Sequence, residues 1–343
     1  MNIHISLVSS FRFFCMVWLC CYLSACAASR HHDQIHTLST TPTSSSSLTI
    51  YTLENAVDHV SIRYGVYTPS LQSLPQEKFV YDKVLLFVLG KGEWVEKYLS
   101  VYKVLTDHLN YPVVIVDHPG QGGSGGERGH IDSYDDYTAA TVAVINDHFP
   151  RASYSVIAHS MGGLIALYGT MKQHLRPQKL ILSSPLLALR KKPVHPFVAR
   201  PLSKSLSWLG FDTLRTPVSS ESSYSFEENR LTTDRDKFLA SKDLPYTIPS
   251  PSMGWVNATF NASDFIHSSA HLKELSTDTL VFLAEHEVVV SASAIPAWVE
   301  KAQQHSDASI ELMFFEDAKH ELFNEKDATT NKALQAVFAF LGN

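Results

Sequence analysis

The segment Val156-Ile-Ala-His-Ser-Met-Gly-Gly163 constrains this chain more than any other stretch. It sets one serine, Ser160, among small residues at the point where an apolar run gives way to a helix-like segment. In so sharp a strand-to-helix turn the serine backbone is strained and its hydroxyl is lifted clear of the sheet. Bulky neighbours would collide there, so small-x-Ser-x-small marks a candidate nucleophile. Gly162 meets that demand, and so does Ala158, which stands where glycine is usual. Such a turn needs a buried parallel sheet with helices against it.

The rest of the sequence supplies both. Segments 48–53, 60–68, 83–89 and 113–117 are short and rich in Val, Ile, Tyr and Leu, and they read as strands. The first two retain some alternation and suit an antiparallel edge, whereas Val84–Leu89 and Val113–Val116 are continuous apolar runs of the kind parallel strands show when both faces are covered. Between them Val95, Tyr98, Leu99, Tyr102, Leu105 and Leu109 recur at helical spacing. The expected fold class is α/β, a mostly parallel sheet flanked by helices with right-handed crossovers. Leu180–Pro185 reads as the strand after the nucleophile helix, but the next, Thr279–Leu283, lies far beyond a usual connection. Residues 187–272 are therefore expected to form an inserted lid, leaving 48–186 and 273–343 as the catalytic domain. Phe197, Leu206, Trp208, Leu209, Phe211, Trp255 and Phe260 in the insertion serve either as packing or as the lining of an acyl pocket.

Charge narrows the partners. The chain has 343 residues, a formal net charge of −6 and no basic run that would neutralise the phosphates of a nucleic acid, so nucleic acid is not an expected partner. Asp117-His-Pro-Gly-Gln-Gly-Gly-Ser-Gly-Gly126 nominally matches a dinucleotide fingerprint, but it continues through Glu127–Asp132 instead of opening into a helix. It reads as a glycine-rich loop beside the site, with His118 and His130 structural and with no cofactor or metal required. Residues 1–25 carry one charge, Arg12, before an apolar run from Phe13 to Leu23, too short to span a bilayer and suited to an export signal. Leu23-Ser-Ala-Cys26 resembles the lipobox of bacterial lipoproteins, which predicts cleavage before Cys26 and lipid on it. The alternative is ordinary cleavage near Ala27 or Ala28. Cys15, Cys20 and Cys21 all fall in the signal, so only Cys26 would survive, and acylation would remove its loose thiol. From residue 27 to 47 the chain is Ser/Thr-rich and expected to be a flexible tether, with His31, His32 and His36 solvated. Because Ala27 follows the cysteine, where an aspartate typically retains lipoproteins at the inner membrane, the expected location is the outer membrane of the bacterial envelope.

Asp117–Ser124, Arg128-Gly-His130 and Ala158–Gly163 together carry a resemblance to the α/β-hydrolase branch of bacterial lysophospholipases and monoacylglycerol lipases. The resemblance runs from about residue 50 to the C-terminus. It departs at Leu89, where a histidine is usual before the oxyanion loop, and at Ala158. It implies the chain order serine, acid, histidine, with Ser160 as nucleophile, Glu287 as acid and His320 as base. Glu285, two residues away, is the rival acid. The backbone N–H groups of Met161 and of Lys91, in the loop Gly90–Glu93, are the implied oxyanion donors. The implied substrate is a lipid ester, a lysophospholipid or monoacylglycerol. An aminopeptidase, with Glu221, Glu227 or Glu228 binding a substrate amine, an acyltransferase, and a non-catalytic envelope binding protein remain as other readings.

Overall fold

The computed structural model describes residues 36–38, 47–69, 81–191, 194–217, 225–242, 246 and 248–342. Their strands are β1 (His36–Leu38), β2 (Ser47–Val57), β3 (Val60–Thr68), β4 (Lys83–Val88), β5 (Val113–Val116), β6 (Ser153–His159), β7 (Leu180–Ser183), β8 (Thr279–Ala284) and β9 (Ile310–Phe315). They form one sheet in the order β1-β2-β3-β5-β4-β6-β7-β8-β9. β1, β2 and β3 run antiparallel to their neighbours, and β3 pairs antiparallel with β5. From β5 through β4 to β9 every pairing is parallel. The alternating segments thus form the edge and the continuous apolar ones the interior, as their hydrophobic patterns require.

The helices are α1 (Leu99–Leu109), α2 (Tyr134–His148), α3 (Met161–Met171), α4 (Pro196–Trp208), α5 (Arg235–Ala240), α6 (Met253–His267), α7 (Ser269–Leu272), α8 (Ala294–His305) and α9 (Asp327–Leu341). Side chains that alternate along a strand face opposite layers. Val84, Leu86 and Val88 of β4 pack with residues of α2, α3, α6 and α8. Leu85 and Phe87 pack on the other side with α1 and α9. Phe87 is fully buried and meets Tyr102 and Phe323 at ring-centroid distances of 5.2 and 5.7 Å. Truncating such a side chain to alanine costs about 3–5 kcal/mol, through lost burial and the cavity left behind.

Two features depart from the sequence reading. β1 lies inside the segment expected to be a featureless tether and pairs with β2, whose outer edge offers unpaired backbone groups that an adjacent extended segment can satisfy. The insertion between β7 and β8 is also not uniform. Trp255 and Phe260 of α6 are buried in the main core, and Trp298 of α8 donates its indole N–H to the Ile266 carbonyl at 2.9 Å. α4, by contrast, rests on α6 and leaves Phe197, Trp208, Leu209 and Phe211 exposed.

Because β4, β6, β7, β8 and β9 are parallel, the loops leaving their C-terminal ends share one edge of the sheet. Those loops hold residues 90–93, the turn at 160, and the segments around 287 and 320, so the topology gathers the candidate residues.

Candidate active site

Ser160 stands between β6 and α3 with φ 53° and ψ −118°, a conformation that costs a non-glycine residue of order 1–3 kcal/mol. Neighbouring backbone holds it there: its N–H donates to the Ser183 carbonyl at 3.0 Å, and its carbonyl accepts from Leu186 N at 2.9 Å. Gly162 is required by proximity, since a Cβ there would collide with the carbonyl oxygens of Val88 and Leu89. Gly163 would likewise press a Cβ onto Pro185. Ala158 fits because it lies inside β6, fully buried and paired with Val88 and Leu182, where a methyl group has room.

His320, in the loop after β9, and Glu287, in the loop after β8, form a buried pair with Nδ1 and Oε2 2.6 Å apart. The other carboxylate oxygen of Glu287 accepts from Val289 N at 2.7 Å and Val290 N at 3.0 Å. Burial raises the Glu287 pKa, but His320 and the two amides outweigh it and hold the group below the usual carboxylate value. Burial lowers that of His320, yet the opposing carboxylate carries it above the ordinary imidazole value, with Glu321 and Glu93 contributing. A carboxylate only accepts, so Nδ1 carries the proton and Nε2 keeps its lone pair. Glu285 lies on the surface, its carboxylate accepting from Asp317 N at 2.8 Å. The structure therefore joins Glu287, and not Glu285, to His320. His320 in turn lies against the turn: its ring is 4.8 Å from that of His159, the residue before Ser160, and its carbonyl is 3.3 Å from His159 Nε2. Among the described residues no hydrogen bond runs from the Ser160 hydroxyl to the His320 ring, and contacts of this kind commonly tighten only with substrate present.

Met161, fully buried, begins α3, so its N–H is one of the helix's unpaired initial donors and lies at the positive end of the helix dipole. Lys91 is half-buried, and the amides on either side of it are anchored. Gly90 N donates to Glu93 Oε2 at 2.5 Å, and Gly92 N donates to Gln121 Oε1 at 2.7 Å. The two bonds fix the loop on both sides of the Lys91 amide.

Sequence reasoning missed what holds these loops. Glu93 is buried and binds Gly90 N, Tyr98 Oη, Lys97 Nζ and His159 Nδ1, while Lys97 also reaches Glu321 at 2.5 Å. Burial raises the Glu93 pKa, but Lys97 and His159 more than reverse it and hold the carboxyl well below its usual value. Glu325, fully buried, accepts from Thr233 N and Lys319 N, and Glu321 N donates to the Leu231 carbonyl, which ties the His320 loop to the insertion. The helical spacing around 95–98 hid Glu93 and Lys97, because charges at a helix start read as solvated.

The glycine loop is structural. Asp117 is buried with Arg63, and its carboxylate accepts from Val95 N at 2.9 Å and Gly123 N at 2.8 Å. A Cβ on Gly122 would strike that carboxylate, which explains the glycine. Burial pushes the His118 pKa down to about 4, so the ring is neutral and donates from Nε2 to the Leu89 carbonyl at 3.0 Å, bracing the end of β4. His130 Nδ1 meets Ser252 Oγ at 2.7 Å, and its Nε2 faces Asp132 and Asp212. Two groups of three ligand-type side chains occur among the described residues, His130–Asp132–Asp212 and Glu285–His286–Asp317, and neither includes Ser160, Glu287 or His320. Glu227 is exposed and faces Arg235, and Glu228, also exposed, accepts from Ser225 N. Glu221 and Cys26 lie outside the described residues. No described helix is long and apolar enough to cross a membrane.

This sheet, with its strained serine turn and its acid–histidine pair at the same edge, defines an α/β-hydrolase. The chain belongs to the Hydrolase_4 family, described as serine aminopeptidase, S33, which matches residues 81–327, and it is a hydrolase. It is 26% identical over 286 residues to the probable lysophospholipase L2 of Haemophilus influenzae, covering 78% of this chain and 86% of the relative. It is 27% identical to the phospholipase YtpA of Bacillus subtilis over 250 residues, covering 71% and 90%. Among solved structures it resembles the monoacylglycerol lipase of Paleococcus ferrophilus, with a TM-score of 0.61 and 20% identity across 75% of this chain and 93% of that one. A carboxyl esterase of Bacillus coagulans matches in fold with a TM-score of 0.66 and 14% identity, across 86% and 97%.

Proposed function

We propose that the chain is a serine carboxylester hydrolase that cleaves lysophospholipids or monoacylglycerols through an acyl-enzyme at Ser160. The observation that carries this reading is the buried Glu287–His320 pair packed against the strained Ser160 turn. A neutral serine hydroxyl attacks poorly until a base takes its proton. His320 Nε2 is the base, Glu287 holds the tautomer and offsets the charge of the imidazolium, and the N–H groups of Met161 and Lys91 hold the oxyanion. His320 then returns the proton to the leaving alcohol, and water, activated by the same ring, releases the acyl group. The named activities of the lysophospholipase and phospholipase relatives support a lipid ester as substrate.

A fluorophosphonate probe should label the chain and fail to label Ser160→Ala, and a panel of lysophospholipids, monoacylglycerols and aminoacyl amides should show turnover of the lipid esters. Labelling without ester turnover, or turnover of the amides alone, overturns the substrate assignment. The reading extends to location: residues 1–25 direct export, and lipid on Cys26 holds the enzyme at the bacterial membrane, in the outer membrane where Ala27 follows the cysteine.

A further inference from the structure

α4 packs the wrong way round for a helix that serves only a soluble fold. Ser203 is its one buried residue, Ala199 and Leu206 are half-buried on the same side, and the helix packs on α6. The large side chains face outward: Phe197 and Trp208 are each 84% exposed, and Val198, Leu202 and Leu209 between 46% and 57%. At the helical repeat these five fall within an arc of roughly 140°, interrupted by the exposed Ser205 alone among polar residues, so they form one predominantly apolar face. Phe211, 57% exposed, extends it past the end of the helix. Arg200 clamps the opposite flank, forming a bidentate pair with Asp264 and lying over the Phe260 ring at 4.7 Å.

Charge identifies the occupant. Residues 187–211 contain Arg190, Lys191, Lys192, Arg200 and Lys204 and no Asp or Glu, in a chain whose formal net charge is −6. Lys191 and Lys204 are exposed, and Lys204 borders the apolar arc beside Phe197 and Trp208. Asp264 answers Arg200, and Asp212 follows the patch, yet neither lies within the run. An apolar aromatic face edged by cations is the pattern of a helix lying in a membrane interface, buried roughly 5–10 Å among headgroups and acyl chains. An anionic bilayer answers both the uncovered Trp and Phe and the lysines beside them.

We propose that α4 and the turn to Phe211 dock the insertion onto anionic lipid surfaces, independently of any lipid on Cys26. The site's own substrates, if they are lipid esters, then reach it from the surface on which the enzyme rests.

The test reads the position of Trp208 without reading catalysis, so it stands or falls apart from the Ser160 assignment. The full chain is mixed with vesicles whose phosphatidylcholine carries brominated acyl chains, with or without phosphatidylglycerol, and tryptophan fluorescence is recorded for wild type and Trp208→Phe. Trp94, Trp255 and Trp298 are buried, and any quenching of Trp18 is common to both proteins and cancels in the difference. Most of the bromine-dependent quenching at Trp208 should appear with the anionic vesicles. It should weaken as salt is raised to about 0.5 M and be lost in Lys191→Glu/Lys204→Glu. The proposal is overturned if Trp208→Phe leaves the bromine-dependent quenching unchanged. It is equally overturned if quenching at Trp208 is indifferent to lipid charge, salt and the lysine reversals.

Discussion

Glu287→Gln provides the sharpest test of the acid's role, because the substitution keeps shape and removes chemistry. In the native site Oε2 accepts from His320 Nδ1 at 2.6 Å, and Oε1 accepts from the Val289 and Val290 amides. A glutamine keeps its carbonyl oxygen on the two amides, since both are donors, so its NH₂ must face Nδ1. That group donates, and the imidazole answers by moving its proton to Nε2. In the proposed mechanism Nε2 then lacks the lone pair that would take the serine proton, so the base is lost while the fold persists. A wrong tautomer in such a triad lowers kcat by about 10⁴-fold, or roughly 5 kcal/mol of transition-state stabilisation. Glu285→Gln removes charge from an exposed carboxylate whose recorded bond is to Asp317 N, and it should leave kcat/KM within about 2-fold. The assay is kcat/KM on a water-soluble short-chain ester for both variants, with thermal unfolding showing that each is folded. Similar losses in the two variants, or a larger loss in Glu285→Gln, refute the tautomer argument.

Ser160→Ala should remain folded, since it keeps the Cβ and the backbone bonds that hold the turn, while losing several orders of magnitude in ester turnover; near-native turnover would remove the serine from the mechanism. The His320 pKa lies above 6.5 and only the neutral ring accepts a proton, so the acid limb of kcat/KM should fall with its midpoint above pH 6.5. In Glu287→Gln, residual activity should show that midpoint shifted downward, and a pH–rate profile reads both. Gly162→Ala should cost about 2 kcal/mol or more in chemical denaturation, because its Cβ meets backbone carbonyls that cannot rotate away. Cys26→Ser should keep activity on a soluble ester but leave the membrane fraction in a high-salt wash, which also weakens docking through α4, or block signal processing; normal processing with retention through that wash would refute the lipid anchor.

The sheet interior was legible because its periodicity has one physical cause: a strand covered on both faces must be apolar throughout, as Val84–Val88 and Val113–Val116 are. The serine turn was legible because sterics permit few residues beside it, and the collision awaiting a Cβ at Gly162 shows how few. The insertion was not legible in the same way. Trp255 and Trp208 have the same composition and lie in the same segment, yet one is core and the other is exposed, a difference set by which helix reaches α3 and not by any local pattern. Glu287 and Glu285 could be ranked only by resemblance, since both occupy one short loop and their side chains diverge only in three dimensions. The β1 pairing escaped notice because three residues of backbone bonding leave no hydrophobic signature.

Leu89, where the resembled family usually has a histidine before the loop 90–93, gains a physical account from the charges beneath it. Leu89 is fully buried and offers its loop only a carbonyl, which His118 secures. The loop is instead fixed by Glu93, which holds Gly90 N at one end and His159 Nδ1 at the other, and His159 passes the contact to the carbonyl of His320. Lys97 closes the circuit by bridging Glu93 to Glu321, the residue after His320. Four side chains, Glu93, Lys97, His159 and Glu321, thus connect the loop 90–93, the residue before Ser160 and the loop of His320. Buried carboxylates left without partners would be costly, and here each has a cation beside it. The loop 90–93, the residue before Ser160 and the loop of His320 are therefore tied into one network that does not depend on the residue at position 89, which is what the mechanism proposed for Lys91, Ser160 and His320 requires.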